Sequence, residues 1–228
     1  MRIAVLFSGG KDSTFATYVV KRQGWDVKYL ITMQPPSSDS WMFHHPCTEL
    51  TKLQAEAMEI RQILQGTAGE KEEELKDLIA VLKPIVDNGE IDAIVTGAIA
   101  SNYQKDRIDA LCKDLGVKHI SPLWHKDPAQ LVEEQIESGL EIIFTSVASG
   151  GFDQSWLGRR LDLNALEDLK TLSKKFGVHI SGEGGEYESL VCDCPMFKKR
   201  IELANIKKIW DGSIMSGYIT ADGMLKEK

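Results

Sequence analysis

The hexapeptide Ser8-Gly9-Gly10-Lys11-Asp12-Ser13 constrains this chain more than any other feature. It follows Ile3–Phe7, an apolar run that reads as a buried strand, and opens Asp12–Gln23, which reads as a helix closed by Gly24. A strand that ends in two glycines and restarts as a helix presents unpaired N–H groups at a tight turn. That helix end carries roughly half a positive charge, so it suits an anion such as pyrophosphate. Ser8, Ser13 and Thr14 can add hydroxyl donors, and Lys11 a full positive charge. Asp12 is unfavourable beside phosphates unless a cation joins them, and Mg2+ is the natural candidate. The ATPase P-loop pattern, G-x-x-x-x-G-K-S/T, fails: Asp12 follows Gly10-Lys11, and Val5 stands in the place of the first glycine. In the plainer reading the glycines only make a turn and Asp12 caps the helix.

The rest of the first half repeats the same grammar. Val27–Met33 and Ile63–Leu64 read as strands, with a helix over Leu50–Ile60 between them. A charged helix over Glu70–Val86 buries Leu75, Leu78, Ile79 and Leu82. Ile91–Thr96 is a further strand, and Ser101–Leu115 a helix ending at Gly116. Ser101 and Gln104 have capping-box spacing at its start. This alternation implies βαβ units and a parallel sheet covered on both faces. After Pro122 the pattern changes. Pro128–Glu137 and Asn164–Phe176 look helical, Leu140–Val147 is a strand, and short strands and turns dominate from Leu190. Asp211-Gly212 and Asp222-Gly223 both read as tight-turn dipeptides. The expected domains are therefore 1–122 and 123–228, the second a smaller α+β unit.

Composition sets the outer limits. With 27 Lys+Arg against 34 Asp+Glu the formal charge is −7, which disfavours a protein that coats nucleic acid. No apolar run is long enough for a membrane helix, and Met1–Phe7 is too short for a signal core. Cys47, Cys112, Cys192 and Cys194, with no secretory signal, read as reduced thiols in a cytoplasmic protein. Cys192 and Cys194 share a strand face, but no second pair completes a metal site. His44-His45-Pro46-Cys47 resembles a ligand cluster only superficially, because successive extended side chains point apart.

The hexapeptide matches the S-G-G-x-D-S pyrophosphate loop of the N-type ATP pyrophosphatases. Residues 40–44 and 97–107, Ser155-Trp156-Leu157-Gly158-Arg159, and residues 182–191 together closely resemble the diphthine–ammonia ligase (diphthamide synthetase) family within that superfamily. The likeness runs from Ile3 to about Ile201, and residues 182–191 discriminate most. It implies an α/β fold: a parallel-sheet, adenine nucleotide alpha hydrolase-like (HUP/Rossmann-like) N-terminal domain with an α+β C-terminal domain. It also implies ATP-dependent amidation of diphthine on translation elongation factor 2 by ammonium, through an acyl-adenylate, giving diphthamide, AMP and pyrophosphate. The cofactors implied are ATP and Mg2+, the metal on Asp12.

Site roles follow from the same resemblance. Ser8, Gly9, Gly10, Lys11, Asp12 and Ser13 would hold pyrophosphate, with Lys11 and Asp12 acting in catalysis. The backbone of Thr32–Met33 would read adenine at the carboxyl edge of the sheet. His44 and Gly97 would approach the nucleotide, Gly97 because a side chain would intrude; an ordinary strand-end turn is the alternative. Gln104 and Arg107, three apart on one helix face, would hold the α-phosphate. Glu183, Gly184, Gly185, Glu186, Tyr187 and Glu188 would form the acceptor or ammonium site, since carboxylates and aromatic faces suit cations. Glu186 is a candidate base. The alternative for this cluster is an acidic turn bonded to backbone N–H groups. Two other readings of the chain stand beside this one: a tRNA-modifying adenylating enzyme and a non-catalytic adenine-nucleotide sensor. The residues leave the oligomeric state open, a homodimer included.

Overall fold

The computed structural model describes residues 1–34, 48–67 and 71–228. In chain order the first elements are β1 (Arg2–Leu6), α1 (Lys11–Arg22), β2 (Asp26–Gln34), α2 (Thr51–Met58), β3 (Arg61–Gly66) and α3 (Lys71–Asp87). They continue as β4 (Ala93–Val95), α4 (Asn102–Leu115), β5 (Lys118–Ile120), α5 (Pro128–Glu137), β6 (Glu141–Ala148) and α6 (Leu163–Phe176). The last three are β7 (Tyr187–Asp193), β8 (Lys199–Asp211) and β9 (Ser216–Glu227). These fall into two compact units. One comprises Met1–Ser8, the described residues of Asp12–His44, and Ile60–Trp124; the other comprises Gly9–Lys11, the described residues of His45–Glu59, and His125–Lys228.

The first unit is an α/β layer structure on a five-stranded parallel sheet of order β3-β2-β1-β4-β5. Its centre is β1, where Ile3, Ala4 and Val5 are fully buried. A strand covered on both faces needs an unbroken apolar run, and that is what Ile3–Phe7 supplies. One face packs Ala4, Ile31 and Ile94 against Leu78, Leu82 and Ile85 of α3 and Leu111 and Cys112 of α4. Burial pushes the Cys112 thiol up to about 12. The strand order reverses between β1 and β4, since the chain runs outward through β2 and β3 before returning to the other side of β1. In open α/β sheets the carboxyl ends of strands at such a reversal are where ligands bind. The helix boundaries have local causes: Ser101 Oγ accepts from Gln104 N at 3.4 Å, and Gly116 ends α4 in the left-handed conformation at φ 74°. The three-residue strand β5 carries no sequence signal of its own, because Lys118 and His119 break any apolar run there.

The second unit holds a four-stranded antiparallel sheet of order β7-β6-β9-β8. Phe144, Trp156 and Tyr187 are buried in its core, with Phe144 edge-on to both other rings at 5.1 and 5.0 Å. Helices α5 and α6 pack on each other, and α2 lies against β8 and β9. The Asp211-Gly212 turn forms as expected: the Asp211 carboxylate accepts from Ser213 N and Ser213 Oγ at 2.8 and 2.6 Å. Asp222-Gly223 is not a turn. It lies inside β9, where Gly223 pairs with Leu203 across a hairpin of 13- and 12-residue strands. A Cβ at Gly223 would stand 2.6 Å from Leu50 Cδ2 and 2.9 Å from Leu53 Cδ1. The glycine is there so that α2 can approach the strand closely.

Candidate functional site

In the first unit, Ser8, Asp12 and Ser13 lie at the reversal point. Ser8 N donates to Ser13 Oγ at 3.2 Å, and the two hydroxyls lie 3.2 Å apart. Ser13 is buried, Ser8 exposed, and Asp12 half-buried in the first turn of α1. Thr14 is fully buried, and its Oγ1 has no hydrogen-bond partner among the described residues. Gly97, just beyond β4, meets this turn directly. A Cβ there would lie 2.7 Å from Ser13 N and 2.8 Å from Asp12 C, both backbone atoms that cannot swing away. The strand-end glycine is thus required for packing against the α1 N-terminus.

Other residues assigned to nucleotide binding are placed as follows. Thr32 Oγ1 donates to Phe7 O at 2.7 Å and accepts from Gln62 Nε2 at 2.9 Å, so its side chain secures the ends of neighbouring strands. Met33 is half-buried beside it. Gln104 is exposed on α4, and the Arg107 guanidinium stacks 4.3 Å above the Tyr103 ring. Lys105 turns to Asp109, at 2.5 Å, whose other oxygen accepts from His119 Nδ1 at 2.6 Å. Lys105 and then His119 hold the Asp109 carboxyl below its ordinary value. Thr96 Oγ1 lies 2.9 Å from His119 Nε2, which completes a network that sequence reasoning did not find. His44, with residues 40–43 and His45-Pro46-Cys47, lies outside the described residues.

In the second unit, Gly9–Lys11 joins the segment that leads into β7. Gly9 O accepts from Val191 N at 3.2 Å, and Lys11 N donates to Ser189 Oγ at 3.1 Å. Lys11 is buried, with 3% of its surface exposed. Its Nζ donates to Ser181 O at 2.6 Å and sits 5.3 Å from the Tyr187 ring centre. Tyr187 is itself buried, its hydroxyl donating to Ile180 O at 2.8 Å. The glycines beside it have distinct jobs. Gly182 and Gly185 take positive φ, 74° and 81°, and Gly184 stands where a Cβ would be 2.7 Å from a Glu186 carboxylate oxygen. That carboxylate accepts from His179 N and Gly184 N, both at 2.9 Å. Glu183 is half-buried, and Glu188 is exposed on β7. The structure therefore brings Lys11 and Tyr187 together, and directs Glu186 into its own loop.

Trp156 is a core residue, with Arg159 stacked 4.6 Å over its ring. Cys192 and Cys194 are buried, and burial pushes the Cys194 thiol up to about 11. Among the described residues no group of three or more His, Cys, Asp or Glu is arranged to hold a metal ion. Asp12 is the carboxylate of the Ser8–Ser13 loop, and one carboxylate with phosphate oxygens and water is a donor set that Mg2+ takes. No helix among the described residues is long and apolar enough to cross a membrane.

Two family models match the chain: the diphthamide synthase N-terminal domain over residues 1–119 and the diphthamide synthase C-terminal domain over residues 127–223. A diphthine–ammonia ligase of Schizosaccharomyces pombe is 34% identical over 244 residues, covering 100% of this chain and 40% of that protein. The Bos taurus diphthine–ammonia ligase is 35% identical over 221 residues, covering 88% of this chain and 82% of that protein. Among solved structures, a predicted subunit of tRNA methyltransferase from Methanocaldococcus jannaschii aligns with a TM-score of 0.42 at 19% identity, over 77% of this chain and 88% of that one. The chain belongs to the diphthamide synthase family.

Proposed function

We propose that this chain is an ATP-dependent ligase that amidates diphthine with ammonium, through an acyl-adenylate, to give diphthamide, AMP and pyrophosphate. The observation that carries the reading is the Ser8–Ser13 loop at the β1–α1 junction, in a chain that matches both diphthamide synthase domains. A carboxylate is a poor acylating agent. Its oxygen attacks the α-phosphorus and pyrophosphate leaves; ammonia then attacks the acyl carbon, and AMP departs with that oxygen. Ammonium gives up one proton before the attack, and the new C–N bond releases a second. Negative charge gathers on the α-phosphate in the first step, so fixed positive groups and N–H donors contribute most there.

In this reading the loop glycines, the α1 N-terminus and the Ser8 and Ser13 hydroxyls hold pyrophosphate. Asp12 would carry Mg2+, which supplies charge neutralisation when bound. The Thr32–Met33 backbone faces adenine, Gln104 and Arg107 serve the α-phosphate, and His44 and Gly97 approach the nucleotide. Glu183 and Glu188 offer carboxylates to the cationic acceptor and to ammonium, together with Gly184, Gly185 and Tyr187. Glu186 shapes the loop through its two backbone bonds, and a base role would use a lone pair that those bonds leave over. The protein bearing diphthine is proposed to be elongation factor 2, met in the cytoplasm.

The test supplies ATP, Mg2+, ammonium and diphthine-bearing elongation factor 2. The expected product is one added amide per acceptor with an equal amount of AMP. ADP and phosphate in place of AMP would remove the adenylation step, and ATP binding without turnover would favour the sensor.

A further inference from the structure

We propose that Gln54 is a positioning residue for the phosphate loop: its side-chain amide fixes the peptide plane between Gly9 and Gly10. The inference rests on the nucleotide reading given above.

Gln54 sits on α2 and is completely buried. Its Nε2 donates at 2.8 Å to Gly9 O and at 2.8 Å to Val191 O. Two carbonyl oxygens can be met only by the NH2 end of an amide, so the side-chain orientation is determined by chemistry. The other end has no compensation: Gln54 Oε1 is buried without a hydrogen-bond partner among the described residues. A buried amide that leaves its oxygen unpaired is costly, and a hydrophobic residue of the same length would avoid that cost. The amide therefore calls for a reason beyond packing.

The geometry at Gly9 supplies it. Gly9 O accepts from both Gln54 Nε2 and Val191 N, which uses both of its lone pairs. In a planar trans peptide the C=O of residue 9 and the N–H of residue 10 point in opposite directions. Turning Gly9 O towards α2 and β7 turns the Gly10 N–H away from them. Gly9 is held at φ 80°, and a Cβ there would lie only 2.4 Å from Gln54 Oε1. The side chain thus closes over Gly9 from one side and forbids the peptide from flipping. An anion-binding loop depends on such fixed N–H directions, because a donor that must reorient on binding loses much of its worth. Ser189 acts on the next link, accepting from Lys11 N at 3.1 Å.

Gln54→Met keeps length and removes both donors. Nucleotide binding is read by calorimetry with the α,β-methylene analogue of ATP, alongside circular dichroism and thermal unfolding. The expected result is a folded variant that binds the analogue at least tenfold more weakly. In turnover its KM for ATP rises by a similar factor, while kcat at saturating ATP and the KM for the protein acceptor stay within threefold. A folded Gln54→Met with unchanged analogue affinity, even if it melts earlier, overturns the proposal. Should the variant fail to fold, the wild-type protein decides: the Gln54 side-chain NH2 resonances must shift on saturation with the analogue, and unmoved resonances overturn the proposal equally. Wild-type protein that does not bind the analogue would instead overturn the nucleotide reading itself.

Discussion

Two glycine-rich loops carry the proposed chemistry, and they are built on opposite principles. In residues 8–13 the glycines let other parts of the chain come close, as Gln54 does at Gly9, while a helix N-terminus provides the polar groups. In residues 182–188 the glycines accommodate the loop's own side chains: Gly182 lies under the Tyr187 ring, and Gly184 against the Glu186 carboxylate. The first loop is shaped from outside. The second shapes itself, spending one of its three carboxylates on two of its own surroundings' N–H groups. An acidic cluster in sequence therefore overstates the negative charge available to a cationic substrate.

The comparison can be broken most severely at Gly97. Gly97→Ala forces a methyl to within 2.7 Å of Ser13 N, so the backbone itself must move. A backbone shift of about 1 Å costs on the order of a hundredfold in turnover. Steady-state assays with varied ATP should show this loss, and a variant within threefold of wild type would mean that the turn has slack. The self-shaped loop is tested by Glu186→Gln. The amide retains one acceptor oxygen and sets an NH2 against the other backbone N–H, which costs about 1–2 kcal/mol. The expected outcome is a lower melting temperature and an acceptor KM raised roughly tenfold, by the same free-energy scale, with ATP affinity kept. Unchanged amide synthesis would remove Glu186 from the mechanism.

Gly223→Ala serves as a packing contrast remote from both loops. Its methyl meets the flexible ends of Leu50 and Leu53, so the expected effect is about 1–2 kcal/mol of stability by overpacking. Thermal unfolding should report that loss, and the KM for ATP should not change. The smallest effect concerns Asp109, whose carboxyl is held below its ordinary value by Lys105 and His119. A depressed folded value means that its contribution is present above the unfolded carboxylate pKa of about 3.9. It is lost as pH falls below that through the folded value. Asp109→Asn should therefore narrow its stability gap to wild type when unfolding is followed from pH 5 down to pH 3; a constant gap would contradict the assignment.

What could be read beforehand follows how local each signal is. The β1–loop–α1 junction was legible because an apolar run, two glycines and a helical period lie within one short stretch. Gly97 was legible as a glycine at a strand end, though its contact with Ser13 was not. Asp222-Gly223 misled because the dipeptide describes only local preference, while the space claimed by Leu50 and Leu53 comes from far along the chain. Strand β5 is too short, and too polar at Lys118 and His119, to announce itself. Gln54 is the limiting case. Its partners Gly9 and Val191 are 45 and 137 residues away, and nothing about a glutamine inside an amphipathic helix points to them. Long-range polar contacts leave no period in a sequence.

The central claim, that the acceptor carboxylate is activated on the α-phosphate of ATP, has a direct isotopic test. Diphthine carrying 18O in its carboxylate is converted in the presence of ATP, Mg2+ and ammonium, and the nucleotide and phosphate products are analysed by mass spectrometry. The account predicts one 18O atom in each AMP and none in inorganic phosphate. Label in phosphate, with ADP as the nucleotide product, would contradict it.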